Sequence, residues 1–177
     1  MGRYISKPGE KRPLTGWELH LKNTISIAGA LYLIFAVMFY PEPILHRSIA
    51  FGMFFSVIFL SYATPGVKAA SRIPVSSWIM ALLSVGVSVY IAINFNRISE
   101  RIVFVDQVTA LDIFFGIATL FLLVEGGRRI LGPWLPALGL LGLAYAVFGH
   151  LIPGKFGHVR FSLDYMIDGM FLSDYGV

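Results

Sequence analysis

Five apolar stretches constrain the fold of this chain more than any other feature of its sequence, and three of the four gaps between them contain proline. Each stretch approaches the roughly 20 residues that an α-helix needs to cross the ~30 Å hydrocarbon core of a bilayer. Prolines stay in the gaps, apart from Pro136 in a first turn, so they break no backbone hydrogen bond that lipid would leave unsatisfied. The sequence therefore predicts an all-α integral membrane protein with five spans, at about residues 22–40, 47–63, 77–93, 110–131 and 134–151.

Composition agrees with a membrane protein and excludes several other classes. Hydrophobic residues make up 56% of the chain and charged residues 14%, whereas a soluble domain carries about 25% charged residues. The net charge of +4 comes from Lys and Arg that punctuate apolar runs and form no polar basic face, so we expect no nucleic-acid partner. Because the chain has no cysteine, disulfides, thiolate nucleophiles and Cys-ligated metals are excluded.

The positions of Lys and Arg predict the orientation of the spans. Nine of the 14 basic residues fall in the N-terminal segment and the even-numbered loops, and five fall in the odd-numbered loops and the tail. The side richer in Lys and Arg is cytoplasmic by the positive-inside rule. We therefore expect a cytoplasmic or interfacial segment 1–21, a transmembrane domain 22–152 and an external tail 153–177.

Two helix starts and the tail carry further signals. Thr15 precedes Glu18 by three residues, and Thr109 precedes Asp112 by three, a spacing typical of a capping box. The first box predicts that residues 17–23 are already helical at the headgroup level before the chain turns into the bilayer; a plain helix start is the alternative.

The segment of residues 161–172 is too short and too acidic to span the membrane. It predicts an external amphipathic helix, capped by Ser162, that lies on the membrane or on a partner with Asp164 and Asp168 on its polar face.

Glu125 is the one acidic residue well inside an apolar stretch, which makes it the first candidate for chemistry. Arg128 and Arg129 follow at i+3 and i+4, on the same face of a helix. One interpretation is a structural ion pair at the end of a span, and the other is a carboxylate that carries protons or couples ions. We favour the ion pair, because the arginines neutralise the carboxylate close to the interface.

No pattern for catalysis, a cofactor or a metal site is present. The four histidines are scattered, with no i, i+4 pair, and phosphate-loop, GxSxG and HExxH motifs are absent. Small residues at helical spacing predict packing faces, which we expect to meet within the chain, with another protein as the alternative. These faces are Ser84, Ser88 and Ala92 in the third span and Gly139, Gly142 and Ala146 in the fifth, and the interfacial anchors are Trp17, Trp78 and Trp134.

An ordered series of elements over about residues 73–175 resembles a known family. The series begins with SSWIMALL and INFN, continues with DQVTALDIFFGIATLFLLVEGGRRILGPWLPALGLLGLAYAVFG, and ends with HLIPG and FSLDYMIDGMFLSDYG. It resembles the N-terminal, small-subunit-like part of the fused permeases of tripartite ATP-independent periplasmic (TRAP) transporters, in the branch served by TAXI-type solute-binding proteins. The first 65 residues match only in kind, and Gly126-Gly127 replaces the small residue and Thr expected there.

The resemblance implies a non-catalytic scaffold in the bacterial inner membrane for a large permease subunit that transports small organic acids. That permease subunit and a periplasmic solute-binding protein would be the partners, together with membrane lipid, and no cofactor would be needed. The family's substrate and coupling-ion sites lie in the large subunit. Two alternatives stay open: an accessory subunit of another membrane complex, respiratory or photosynthetic, and a truncated fused permease.

Overall fold

The computed structural model describes residues 6–67 and 72–173, which form helices, connecting segments and an isolated antiparallel bridge between Lys11 and Tyr62. Five of the helices are long and apolar enough to cross a membrane: Trp17–Phe39, Pro43–Ser61, Val75–Ile93, Ala110–Leu131 and Trp134–Leu151, the last of which ends in a 3₁₀ turn at Gly149–Leu151. This confirms the prediction of an all-α membrane protein with five spans. The helices of the described residues are α1 (Trp17–Phe39), α2 (Pro43–Ser61), α3 (Val75–Ile93), α4 (Phe95–Ser99), α5 (Ala110–Leu131), α6 (Trp134–Phe148) and α7 (Leu163–Ile167).

Successive spans run antiparallel, so the bundle has two distinct ends. At one end α1, α3 and α6 begin, α2 and α5 finish, and an N-terminal arm of residues 6–16 packs against them. We call this the arm end. At the other, which we call the tail end, the loop of residues 94–109 and the tail of residues 152–173 lie together. The arm end is the side that the distribution of basic residues predicts to be cytoplasmic.

The core lies among α2, α3 and α5. Phe59, Leu60, Val87 and Leu122 are almost completely buried there. Between one third and two fifths of the apolar part of these helices is buried within the chain, compared with 11% for α1 and 6% for α6. Helix α1 packs chiefly on α2 and α6 chiefly on α5, so these two spans are peripheral.

The start of α1 differs from the sequence prediction. The helix runs without a break from Trp17 into the span, so no separate interfacial segment turns into it. Thr15 does not cap it, because the N-cap position falls one residue later, on Gly16, whose φ of 63° gives the chain a left-handed bend. The Glu18 carboxylate instead accepts a hydrogen bond from the backbone N–H of Ile73, at 3.3 Å. The capping box predicted at Thr109 does form, at the start of α5.

The tail folds back onto its own chain. Ser162 caps α7, as predicted, by accepting a hydrogen bond from the Tyr165 N–H, and a single π-helical turn, Asp168–Leu172, follows. Ile167 packs so closely on Gly116 of α5 that a Cβ there would lie 2.7 Å from it. Asp168 is buried, not on a polar face as predicted, because it binds the loop before α5. Residues 1–5, 68–71 and 174–177, which include Lys68 and the ends of the predicted N-terminal and tail segments, lie outside the described residues.

Candidate functional site

Glu125 lies at the centre of a buried polar cluster at the arm end. Its carboxylate accepts hydrogen bonds from Nε of Arg128 at 2.7 Å and from Nε of Arg129 at 2.8 Å, and Nη2 of Arg128 adds a third at 2.9 Å. The structure therefore brings together all three residues that the sequence singled out. Arg129 is 1% exposed, whereas the Arg128 side chain is 36% exposed and reaches the surface.

Arg129 connects this ion pair to the ends of two neighbouring helices. Its Nη1 donates to the hydroxyl of Ser77, at the start of α3, at 2.9 Å, and the guanidinium lies 5.0 Å from the ring of Phe59 in α2. Its Nη2 donates to the sulfur of Met80 at 3.2 Å. A cation over an aromatic ring in a desolvated site is stabilising, so the Arg129 side chain holds α2, α3 and α5 at a common point.

Arg12 of the arm enters the same cluster from outside the helices. Its Nη1 donates to the carbonyl oxygens of Phe59 and Leu60, at 2.9 and 3.2 Å, and its Nη2 donates to Ser77 at 2.9 Å. The last carbonyls of a helix have no partner within the helix and carry a partial negative charge, so a guanidinium is a favourable cap for α2. Burial and the charge of Arg129 lower the pKa of Arg12 to about 10, against the opposing effect of Glu18, so Arg12 remains cationic at neutral pH.

Nothing in the sequence indicates that Arg12 contacts the last turn of α2, where Phe59 lies 47 residues further along the chain. The arm is placed there by backbone pairing: the N–H of Arg12 donates to the carbonyl of Ser61 at 2.8 Å, and the N–H of Ala63 donates to the carbonyl of Glu10 at 3.0 Å. The one available signal was an arginine beside Pro13 just before a span. It did not identify a partner.

A second buried carboxylate, Asp112, lies at the tail end, and the sequence identified it only as a helix cap. It is completely buried and accepts hydrogen bonds from the Tyr90 hydroxyl at 2.6 Å, from Nη2 of Arg97 at 2.7 Å and from the Thr109 hydroxyl at 2.7 Å. The charge-assisted bond to Asp112 raises the pKa of Arg97, which lies outside the spans in α4. This cluster joins the end of α3 to the start of α5.

The tail is fastened at the same end by two further arginines. Nη1 of Arg101 lies 3.4 Å from the carboxylate of Asp168, and that carboxylate accepts the N–H of Phe104 at 2.7 Å. Arg47, at the start of α2, donates from Nη2 to the carbonyl of Ser173 at 3.1 Å. Among the buried side-chain atoms of the described residues, only Nε and Nη1 of Arg101 lack a hydrogen-bond partner. The polar groups inside the bundle are therefore occupied by one another.

No family model, curated protein or solved structure matches this chain. The arrangement of its own residues is therefore what bears on its function. In residues 6–67 and 72–173, no three His, Asp or Glu side chains converge in a way that could hold a metal ion. The two clusters at the ends of the bundle join helices through pairs between an arginine and a buried carboxylate.

The small residues of the third span divide into those that pack and one that does not. Ser84 is completely buried and lies 3.1 Å from the hydroxyl of Ser56 in α2. The Ser88 hydroxyl donates to the carbonyl of Ser48, and a Cβ added at Gly52 would collide with Ser88. Helices α2 and α3 therefore approach closely through these positions. Ala92, by contrast, is exposed.

The small residues of the fifth span face outward. A Cβ added at Gly139 or Gly142 would meet nothing within 4 Å, Ala146 is half-buried, and α6 contains no buried residue. The prediction that this face packs within the chain is therefore wrong for Gly139 and Gly142. Helix α6 contacts α5 through other positions, such as Pro136 beside Gly127. The alternative, contact with another protein, is left open by this geometry.

All three tryptophans lie at the arm end, where α1, α3 and α6 begin. The rings of Trp17 and Trp78 stack with their centroids 5.8 Å apart, and Trp134 is 85% exposed. A row of indole rings at one level is typical of the membrane–water interface. The positions of the three rings are compatible with their predicted role as interfacial anchors.

Proposed function

We propose that this chain is a non-catalytic scaffold subunit of a membrane transporter of the TRAP type, supporting a large permease subunit for small organic acids. The observation that carries the proposal is α6: it is apolar along its length, none of its residues is buried in its own chain, and its glycines at 139 and 142 are open. Small residues let a neighbouring helix backbone approach closely, so this face suits another membrane helix.

The buried charges support a structural role. An ion-coupling carboxylate would have to release its partners and meet a transported ion during each cycle, whereas Glu125 is held by three hydrogen bonds from two arginines. Asp112 is held by donors from three residues and is completely buried. By resemblance, the coupling ion and the substrate bind in the large subunit, and a periplasmic binding protein supplies the substrate.

Co-purification tests the proposal. The chain is expressed from its native locus with an affinity tag, extracted in a mild detergent and captured, and we expect a permease of about a dozen spans to be recovered with it. Gly139→Leu fills the open face of α6 and is expected to remove most of that partner. Gly86→Leu is the matched control, because a Cβ at Gly86 also meets nothing within 4 Å but lies on α3.

Two results would overturn the proposal. The first is gradient-driven uptake of a solute by proteoliposomes that contain this chain alone, which would make it a transporter in its own right. The second is recovery of respiratory or photosynthetic subunits in place of a permease, which would assign the chain to a different kind of complex.

A further inference from the structure

A cavity of about 240 Å³ opens at the arm end, between the N-terminal arm, the first turns of α1 and the last turn of α2. Its polar side is formed by Lys11 and Arg12 from the arm and by Lys22 from α1. Leu19 and Val57 form part of its apolar wall. The scaffold role proposed above makes no use of this cavity.

The lining of the cavity is cationic and contains no carboxylate. Lys11 and Lys22 take part in none of the ion pairs within the described part of the chain. The carboxylates nearest in sequence bind elsewhere: Glu10 accepts the N–H of Lys7 at 2.8 Å, and Glu18 accepts the N–H of Ile73. The charges around the cavity are therefore not neutralised by the residues that line it.

Arg12 adds a fixed positive charge to this site. Its guanidinium donates to helix carbonyls and to Ser77, so its hydrogen bonds are satisfied by neutral groups while its charge remains. The charge of the neighbouring Arg129 still repels that of Arg12, although Arg129 is paired with Glu125, and both arginines donate to the same Ser77 hydroxyl. An anion in the cavity would relieve this repulsion without displacing any of the existing hydrogen bonds.

The position of the cavity matches the boundary between headgroups and hydrocarbon. Lys11 pairs through its backbone with Tyr62, just past the end of α2, so the cations lie where that span finishes. Val57 lies about one helical turn deeper in α2. The cavity therefore has a cationic mouth at the level of the headgroups and an apolar wall that continues into the bilayer.

We propose that this cavity binds the phosphate of an anionic phospholipid headgroup, with the upper part of an acyl chain along Leu19 and Val57. Basic pockets beside transmembrane helices on the cytoplasmic side are known to select anionic lipids. A free phosphate would leave the apolar wall exposed to water. A zwitterionic headgroup would bring a positively charged ammonium group to a site that has no carboxylate to receive it.

Native mass spectrometry of the full chain, titrated with phosphatidylglycerol, tests the proposal. Removing both lysines with the Lys11→Gln/Lys22→Gln variant is expected to weaken binding about 25-fold, at about fivefold for each basic group. The matched control is Lys155→Gln/Arg160→Gln, which removes the same charge from exposed positions beyond α6. We expect it to change binding less than about twofold, because charges further away than a Debye length are screened.

Three further arms separate the possible ligands. Phosphatidylcholine is expected to bind weakly to every variant, and excess inorganic phosphate is expected not to displace the lipid. The Lys11→Arg/Lys22→Arg variant keeps the charge and is expected to keep the affinity, which excludes misfolding as the cause of a loss. The proposal is overturned if the glutamine variant binds phosphatidylglycerol as tightly as the parent, if the control variant loses as much affinity as the glutamine variant, or if the arginine variant loses affinity. It is also overturned if phosphatidylcholine binds as tightly as phosphatidylglycerol, or if inorganic phosphate displaces the lipid. Protection of Lys11 and Lys22 by an acidic segment of a partner protein, in place of lipid, would also overturn it.

Discussion

Replacement of Glu125 by glutamine is expected to lower the free energy of unfolding by about 3–5 kcal/mol. The side chain keeps its size but loses the charge to which Arg128 and Arg129 donate three hydrogen bonds. Arg129 is 1% exposed and cannot turn to water, and the other guanidinium beside it, that of Arg12, is also positive. Removal of one partner from a buried ion pair costs about this much, because the remaining charge is left without compensation.

The other members of the cluster provide the controls. Arg128→Gln removes a 36% exposed side chain and leaves the pair between Glu125 and Arg129 intact, so we expect a loss of about 0.2–1 kcal/mol. The double variant Glu125→Gln/Arg129→Gln removes both buried charges. Its loss of unfolding free energy is expected to be smaller, by at least about 1 kcal/mol, than the sum of the losses in the two single variants. Residues in direct contact have coupling energies of this size.

Unfolding in mixed micelles with increasing sodium dodecyl sulfate, followed by far-ultraviolet circular dichroism, measures these differences. The reasoning is refuted if Arg128→Gln destabilises as much as Glu125→Gln, or if the two single losses simply add in the double variant. In an intact complex, normal assembly of Glu125→Gln with loss of ion coupling would assign Glu125 to transport in place of structure.

Three further predictions concern other positions. Gly126→Ala is expected to be less stable than Gly86→Ala by about 1–3 kcal/mol in the same unfolding assay, because the new Cβ would lie 2.8 Å from the Phe55 ring at the first site and meet nothing at the second. Asp112→Asn is expected to cost about 2–3 kcal/mol in that assay through the loss of charge-assisted hydrogen bonds; an unchanged midpoint would contradict this. Hydrogen bonds to the Val159 and Tyr145 carbonyls raise the pKa of His158 above 6.5, so the order that the cationic ring gives to the tail is expected below that pH and lost as the pH rises through the raised pKa. Hydrogen exchange of residues 156–161 on either side of this range measures the effect, and His158→Gln is expected to remove the pH dependence.

Interactions that are local in sequence could be predicted from it. The bounds of α5 agree with the predicted span because both ends carry local signals, the Thr109 capping box at the start and Gly132-Pro133 after the end. The pairing of Glu125 with Arg129 follows from helical spacing alone. The number of spans follows from the thickness of hydrocarbon, which is the same for every helix.

Interactions between distant segments could not be predicted in the same way. Helical spacing shows which residues of Asp112's own helix share its face, but it does not identify the helix opposite, so its contacts with Tyr90 and Arg97 were missed. For the same reason the sequence does not identify Asp168, far along the chain, as the partner of Arg101. The stripe of Gly139 and Gly142 likewise indicates close packing without identifying the neighbour.

The distribution of polar contacts gives the five spans unequal roles. Charged clusters join α2, α3 and α5 at the arm end, and α3 to α5 at the tail end, whereas contacts of Ser56, Ser84 and Ser88 hold α2 against α3 between them. Sliding one of these helices along another would separate buried charges from their partners, which is costly in a medium without water. Within the described residues helix α6 has no such restraint along its span, and it meets α5 through apolar contacts such as Pro136 on Gly127. A three-helix core that is joined by buried polar contacts and carries an apolar helix on its outer face can offer that helix to a partner while keeping its own position, which is what the proposed scaffold requires.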